Sequence, residues 1–186
     1  GKEVAGNMEL GRAHQLAVEL TRELNPYCER IAIAGGIARL KPQVHDIELV
    51  AIPKMVDEQI GLFTGVDFPD EPAPQMSALE YVDWTRIGRV LSGGRRNKKI
   101  EVGLESGDNI VLDLFIVLPP AQWGVIKTIR TGPAEFSHWL VTPKRYGGAM
   151  PAHLKQRDGS LWNGATQIIT PEEEDYFRAV GLTWKS

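Results

Sequence analysis

Three acidic residues stand inside apolar runs of this 186-residue chain, and they constrain its fold more than any other feature. Asp46 and Glu48 alternate with hydrophobic residues between positions 46 and 52, and Asp113 sits in the middle of the run from Asn109 to Leu118. Short apolar segments rich in Val and Ile read as strands. Side chains at i and i+2 of a strand share a face, so Asp46 and Glu48 project together while Ile47 and Leu49 face the other way. An unpaired carboxylate is costly to bury. Adjacent carboxylates also raise each other's pKa unless a cation lies between them. An all-oxygen donor set with no Cys nearby favours Mg2+ or Mn2+. Taken singly, each acid has an ordinary alternative. Asp113 could end a strand or pair with an arginine, and Asp46 and Glu48 could line an exposed edge. Together the three predict a metal site.

The rest of the chain supplies a frame for that site. Glu9 to Leu24 carries a helical stripe of Leu10, Ala13, Leu16, Ala17, Leu20 and Leu24, and Asn25-Pro26 ends it. Ile31 to Ala34 reads as a strand, after which Gly35-Gly36 turns the backbone. Residues 57–76 read as a long irregular excursion rich in Gly and Pro. Ser77-Ala78-Leu79-Glu80 has the pattern of a capping box and predicts a helix to about Leu91, its inner face carrying Tyr81, Trp84, Ile87 and Leu91. Ile100 to Leu104 is expected to pair back, through the turn-rich segment 105–109, with the strand that bears Asp113. Beyond Pro119-Pro120 the pattern changes to short helices and turns, and Thr170 is the expected N-cap of a last helix that Gly181 ends. The expected class is α+β. A small mixed sheet flanked by helices occupies residues 1–120, and a smaller C-terminal subdomain occupies 121–186.

Composition narrows the function classes. No apolar run approaches the roughly 20 residues that span a bilayer, so no membrane contact is expected. The segment Gly1 to Val4 does not resemble the start of a signal peptide. Cys28, the single cysteine, excludes an internal disulfide. It reads as a small buried hydrophobe in a reducing, cytoplasmic setting. A monomer is expected. The formal net charge of -3 argues against a protein that coats nucleic acid. Cations nevertheless gather around Gly93-Gly94 (Arg86, Arg89, Arg95, Arg96, Lys98, Lys99) and again from Lys127 and Arg130 to Arg157. A basic groove on an acidic body suits a short nucleic-acid contact, with Arg95, Arg96, Lys98 and Arg130 as candidates. Ordinary solvated loops are the alternative.

Gly35-Gly36, a nine-residue spacer and Asp46-Ile47-Glu48-Leu49 resemble the nucleotidyltransferase signature of the DNA polymerase beta superfamily. Further segments resemble X-family DNA polymerases in order. They are Val111 to Val117, Trp123 to Ile126, Arg130-Thr131-Gly132 with Phe136, Leu154 to Trp162, Thr170 to Glu174, and Phe177 to Trp184. The resemblance runs from about Arg30 to Lys185, leaving about 57–92 unmatched. It implies a nucleotidyltransferase palm with a thumb-like subdomain, transferring dNMP from a dNTP to the 3′-hydroxyl of primer or primer–template DNA. It also implies that Asp46 and Glu48 hold two Mg2+ ions, with Mn2+ as a substitute. Asp113 would complete the catalytic ion's shell and accept the hydroxyl proton. By the same resemblance, Gly35, Gly36 and Arg39 would receive the triphosphate, and Thr131 and Gly132 would border the sugar and base.

The chain departs from the family pattern at three places. Glu48 stands where Asp is usual, Gly36 where serine is common, and Ile129 and Arg130 where two aromatics precede Thr-Gly. No helix-hairpin-helix element is recognised before the first strand. The expectation is therefore a minimal palm-plus-thumb form with a weak grip on DNA and no lyase activity. Two alternatives remain: the same site with an RNA, protein or small-molecule acceptor, and a non-catalytic nucleic-acid-binding scaffold.

Overall fold

The computed structural model describes residues 8–58 and 74–185. Most of the 57–76 excursion and the first residues of the chain lie outside them. Met8–Glu9 (β1) leads directly into helix α1, Leu10–Leu24. Asn25-Pro26 converts its end to a 3-10 turn, because proline cannot donate the next helical hydrogen bond. Strand β2 (Cys28–Ala34), a single helical turn α2 (Gly35–Ala38), β3 (Gln43–Val44) and β4 (Asp46–Pro53) follow. A small hairpin, β5 (Met55–Asp57) with β6 (Gln75–Ser77), flanks the main sheet. Strands β7 (Arg89–Gly93), β8 (Asn97–Gly103) and β9 (Asn109–Ile116) complete the first part of the chain.

The main sheet has the order β2-β4-β9-β8-β7. Only β4 and β9 run parallel; the other neighbours are antiparallel. The expected hairpin between β8 and β9 is present, and the sheet is mixed as expected. Its two faces are built from alternate residues. Ile47, Leu49, Ala51, Leu112, Leu114 and Ile116 join Ile100 in one core with Ala13, Ala17, Leu20 and Leu24 of α1. Burying each large aliphatic side chain there stabilises the fold by about 1.5–3 kcal/mol. Val50, Phe115 and Val117 point the other way and pack with Ala34, Ala121 and Trp123.

The C-terminal part comprises α3 (Trp123–Thr131), α4 (Ala134–Val141), a three-stranded antiparallel sheet and α5 (Glu173–Val180). That sheet is formed by β10 (Lys155–Arg157), β11 (Ser160–Asn163) and β12 (Thr166–Ile168). Val125, Leu140, Met150, Leu154, Leu161, Tyr176 and Val180 form its own core. Helix α3 bridges the two parts, because Trp123 is buried against the main sheet while Val125 is buried in the C-terminal core. Arg30 on β2 adds a second joint. Its guanidinium donates to both carboxylate oxygens of Glu172 at 2.7 and 2.9 Å and lies 4.1 Å from the ring centre of Trp123. No helix among the described residues is long and apolar enough to cross a membrane.

Two helix expectations need correction. Ser77 does cap a turn, its Oγ accepting from the Leu79 N–H, yet no helix runs to Leu91. Two 3-10 turns, Ala78–Tyr81 and Trp84–Arg86, are followed by strand β7. Glu80, which a capping box would turn back to Ser77, instead accepts from Lys98 Nζ at 3.0 Å. Asp83 then captures the Thr85 N–H and starts the second turn, a competition with helix that short polar side chains commonly win. Trp84 is buried, whereas Tyr81 and Leu91 are exposed. At the other end of the chain, Thr170 does not cap α5. Its hydroxyl is buried without a partner and its backbone pairs with Gly124 and Gln122; the capping box forms two residues later between Glu172 and Asp175.

Candidate metal centre

Parallel pairing of β4 with β9 sets Glu48 directly beside Asp113, and period-two alternation adds Asp46 on the same face. One carboxylate oxygen from each of the three lies within 4.8 Å of the others. All three side chains are half-buried. Burial, then Asp113, raises the pKa of Asp46; His45, Lys99 and Arg39 oppose the rise. Burial, then Asp46 and Asp113, pushes Glu48 up to about 7, against the pull of Arg39 and Arg130. Crowding three carboxylates away from water makes the metal-free site reluctant to ionise fully. A divalent cation would relieve both the repulsion and the lost hydration. The oxygen-only donor set fits a hard ion such as Mg2+ or Mn2+.

The glycine turn is locked to the triad. Gly35 has φ +62, and a Cβ built there would fall 1.5 Å from Glu48 Oε2. Only glycine allows the backbone to pass this close to the carboxylate. Arg39, at the end of α2, donates from Nη1 to the Thr131 carbonyl at 2.9 Å. The predicted triphosphate residues Gly35, Gly36 and Arg39 are thereby joined to the Thr131-Gly132 corner of α3. Lys127 Nζ also donates to Thr131 Oγ1 at 3.0 Å. Gly132 follows the last residue of α3 and, with Thr131, Phe136 and Trp184, lines a separate cleft of about 330 Å³.

The predicted nucleic-acid residues divide. A cleft of about 520 Å³ opens beside Asp113, and Arg96 and Arg130 both line it. Arg96 is anchored by donating to the Leu118 and Pro119 carbonyls. Arg130 lies over Phe115, its guanidinium carbon 4.0 Å from the ring centre. Arg95 is exposed on the adjoining turn. Lys98 is elsewhere: it is buried on the opposite face of β8, ion-paired with Glu80 at 3.0 Å and 6.0 Å from the Trp84 ring centre. The cleft also contains two residues that the site prediction left out, Asn97 and Lys99. Lys99 is the antiparallel partner of Asp113. Asn97 Nδ2 donates to Asp113 Oδ1 at 2.6 Å. The missing signal was parity, since residues 97 and 99 share a face that residue 98 does not.

The fold and the donor set together define an α+β protein with a half-buried, three-carboxylate site competent to bind a metal ion. No protein-family model and no curated protein sequence matches the chain.

Proposed function

We propose that this chain is a DNA nucleotidyltransferase resembling the X-family polymerases, which transfers dNMP from a dNTP to a primer 3′-hydroxyl. The observation that carries the reading is the convergence of Asp46, Glu48 and Asp113 from two adjacent parallel strands, with the Gly35 turn packed against Glu48. Phosphoryl transfer needs charge neutralised and oxygens aligned more than it needs covalent help. Two divalent ions, held by Asp46 and Glu48 with Asp113 on one of them, would supply that neutralisation.

The chain's own groups supply the rest. Asp113 accepts the proton of the attacking hydroxyl while the new bond from its oxygen to the α-phosphorus forms. The bond from the α-phosphorus to the bridging oxygen breaks, and pyrophosphate leaves with the electron pair. The backbone N–H groups of Gly35 and Gly36, with Arg39, receive the triphosphate. Lys99 and Arg130 give the cleft beside Asp113 the positive potential that a nucleic-acid backbone requires.

The test is extension of a labelled primer, with and without template, using each dNTP and NTP in Mg2+ or Mn2+. Metal-dependent extension that Asp46→Asn and Asp113→Asn each reduce by roughly a thousandfold or more is the expected result. Intact triphosphate binding without extension would move the acceptor to RNA, protein or a small molecule. DNA binding that needs no metal and tolerates Asp113→Asn would identify a scaffold.

A further inference from the structure

We infer that Asn97 is the positioning residue of the metal centre, and this rests on the triad being a cation site. Among the described residues, Asn97 is the sole side-chain hydrogen-bond donor to the Asp113 carboxylate. The same Nδ2 also donates to the Leu114 carbonyl, at 3.2 Å. Both partners are acceptors, so the amide must present its nitrogen to them, and the two N–H bonds fix its plane. Asn97 stands opposite Phe115 in the β8–β9 register. It therefore reaches Asp113 diagonally, from the sheet side of the cleft.

The chemical type matters as much as the contact. A cation at position 97 would neutralise Asp113 and compete directly with a metal ion. An amide orients the carboxylate through Oδ1 and leaves its full negative charge in place. Lys99, the nearest cation in register, forms no ion pair with Asp113. The division of labour is clear. Asn97 holds the ligand still, and Lys99 contributes field without occupying an oxygen. Outer partners of this kind set the rotamer of a ligand before the ion arrives, and losing one typically costs about 10–100-fold in metal affinity.

Calorimetric titration of the full chain with Mn2+ alone, without nucleotide or DNA, tests the inference. Asn97→Ala is expected to weaken Mn2+ binding by about 10–100-fold, while Asn97→Gln, which retains an amide donor, recovers part of the loss. Thermal unfolding in chelator, run alongside, verifies that each variant is folded. Should Asn97→Ala fail to fold, Asn97→Ser provides the same comparison with a shorter donor. Wild-type affinity in folded Asn97→Ala overturns the positioning role, while loss of Mn2+ binding in Asp113→Asn would still uphold the metal centre. Absence of Mn2+ binding in the wild-type chain overturns both. A primer-extension series adds a second readout. Asn97→Ala should lower activity at limiting Mn2+ and regain most of it at saturating Mn2+, and an equal deficit at both concentrations counts against the inference.

Discussion

The two faces of β4 and β9 are assembled from alternating residues of the same two segments, yet they obey opposite rules. On the α1 side, Ile47, Leu49, Leu112 and Leu114 are fully buried in one apolar core. One residue away, Asp46, Glu48 and Asp113 crowd like charges into a half-buried site. The first face makes the sheet stable and rigid. The second uses that rigidity to hold three carboxylates where they would not choose to sit. The acid face is affordable because the strands that carry it are anchored through their backs.

Substitutions on the two faces should separate activity from stability. The largest effect belongs to the acids: Asp113→Asn is expected to remove roughly three or more orders of magnitude of turnover while leaving the unfolding midpoint in chelator unchanged or raised. Leu114→Ala should do the reverse. It is expected to cost about 2–5 kcal/mol in denaturant unfolding and to leave Mn2+ affinity of the folded fraction intact. If both variants lost metal binding equally, the faces would not be independent.

Adjacent lysines on β8 give the same contrast on a smaller scale. Lys98→Met leaves the partly buried Glu80 without its ion-pair partner and should destabilise the fold by about 1–3 kcal/mol. Lys99→Met should change stability by less than about 0.5 kcal/mol and instead raise the KM for primer.

The pH dependence has a definite sign. Glu48 titrates at about 7 in the folded chain, against an ordinary value of 4.5, and Asp46 is shifted in the same direction. Between those pH values the folded chain holds a proton that the unfolded chain has released. Raising pH across that window therefore lowers the stability of the metal-free protein. The unfolding temperature in chelator should fall as pH rises from about 4.5 through about 7. The stabilisation by Mg2+ or Mn2+ should grow over the same range, since the ion competes with the proton. Glu48→Gln should flatten both curves.

The sheet and its acid face were legible in the sequence because a period of two is a local signal, visible in Asp46 to Ile52 and again around Asp113. Assigning Lys98 to a basic groove ignored that same rule, which sends residues 98 and 99 to opposite faces. The helix expected after Ser77 failed for a different reason. Its capping pattern is local, but Glu80 is claimed by Lys98, a partner 18 positions away. The Thr170 backbone is likewise held by distant partners, Gln122 and Gly124, and the capping role passes to Glu172. The contribution of Asn97 depends on a cross-strand diagonal and could not be read from spacing along one segment.

The close passage of Gly35 past Glu48 ties the fates of these two positions together over generations. Alanine at 35 would push the end of the Glu48 side chain out of its place in the triad, and it would also carry the left-handed backbone cost of about 1–2 kcal/mol. The glycine and the acid are therefore linked: a change at 35 is felt first as a displaced ligand of the triad, before it is felt as a change in packing.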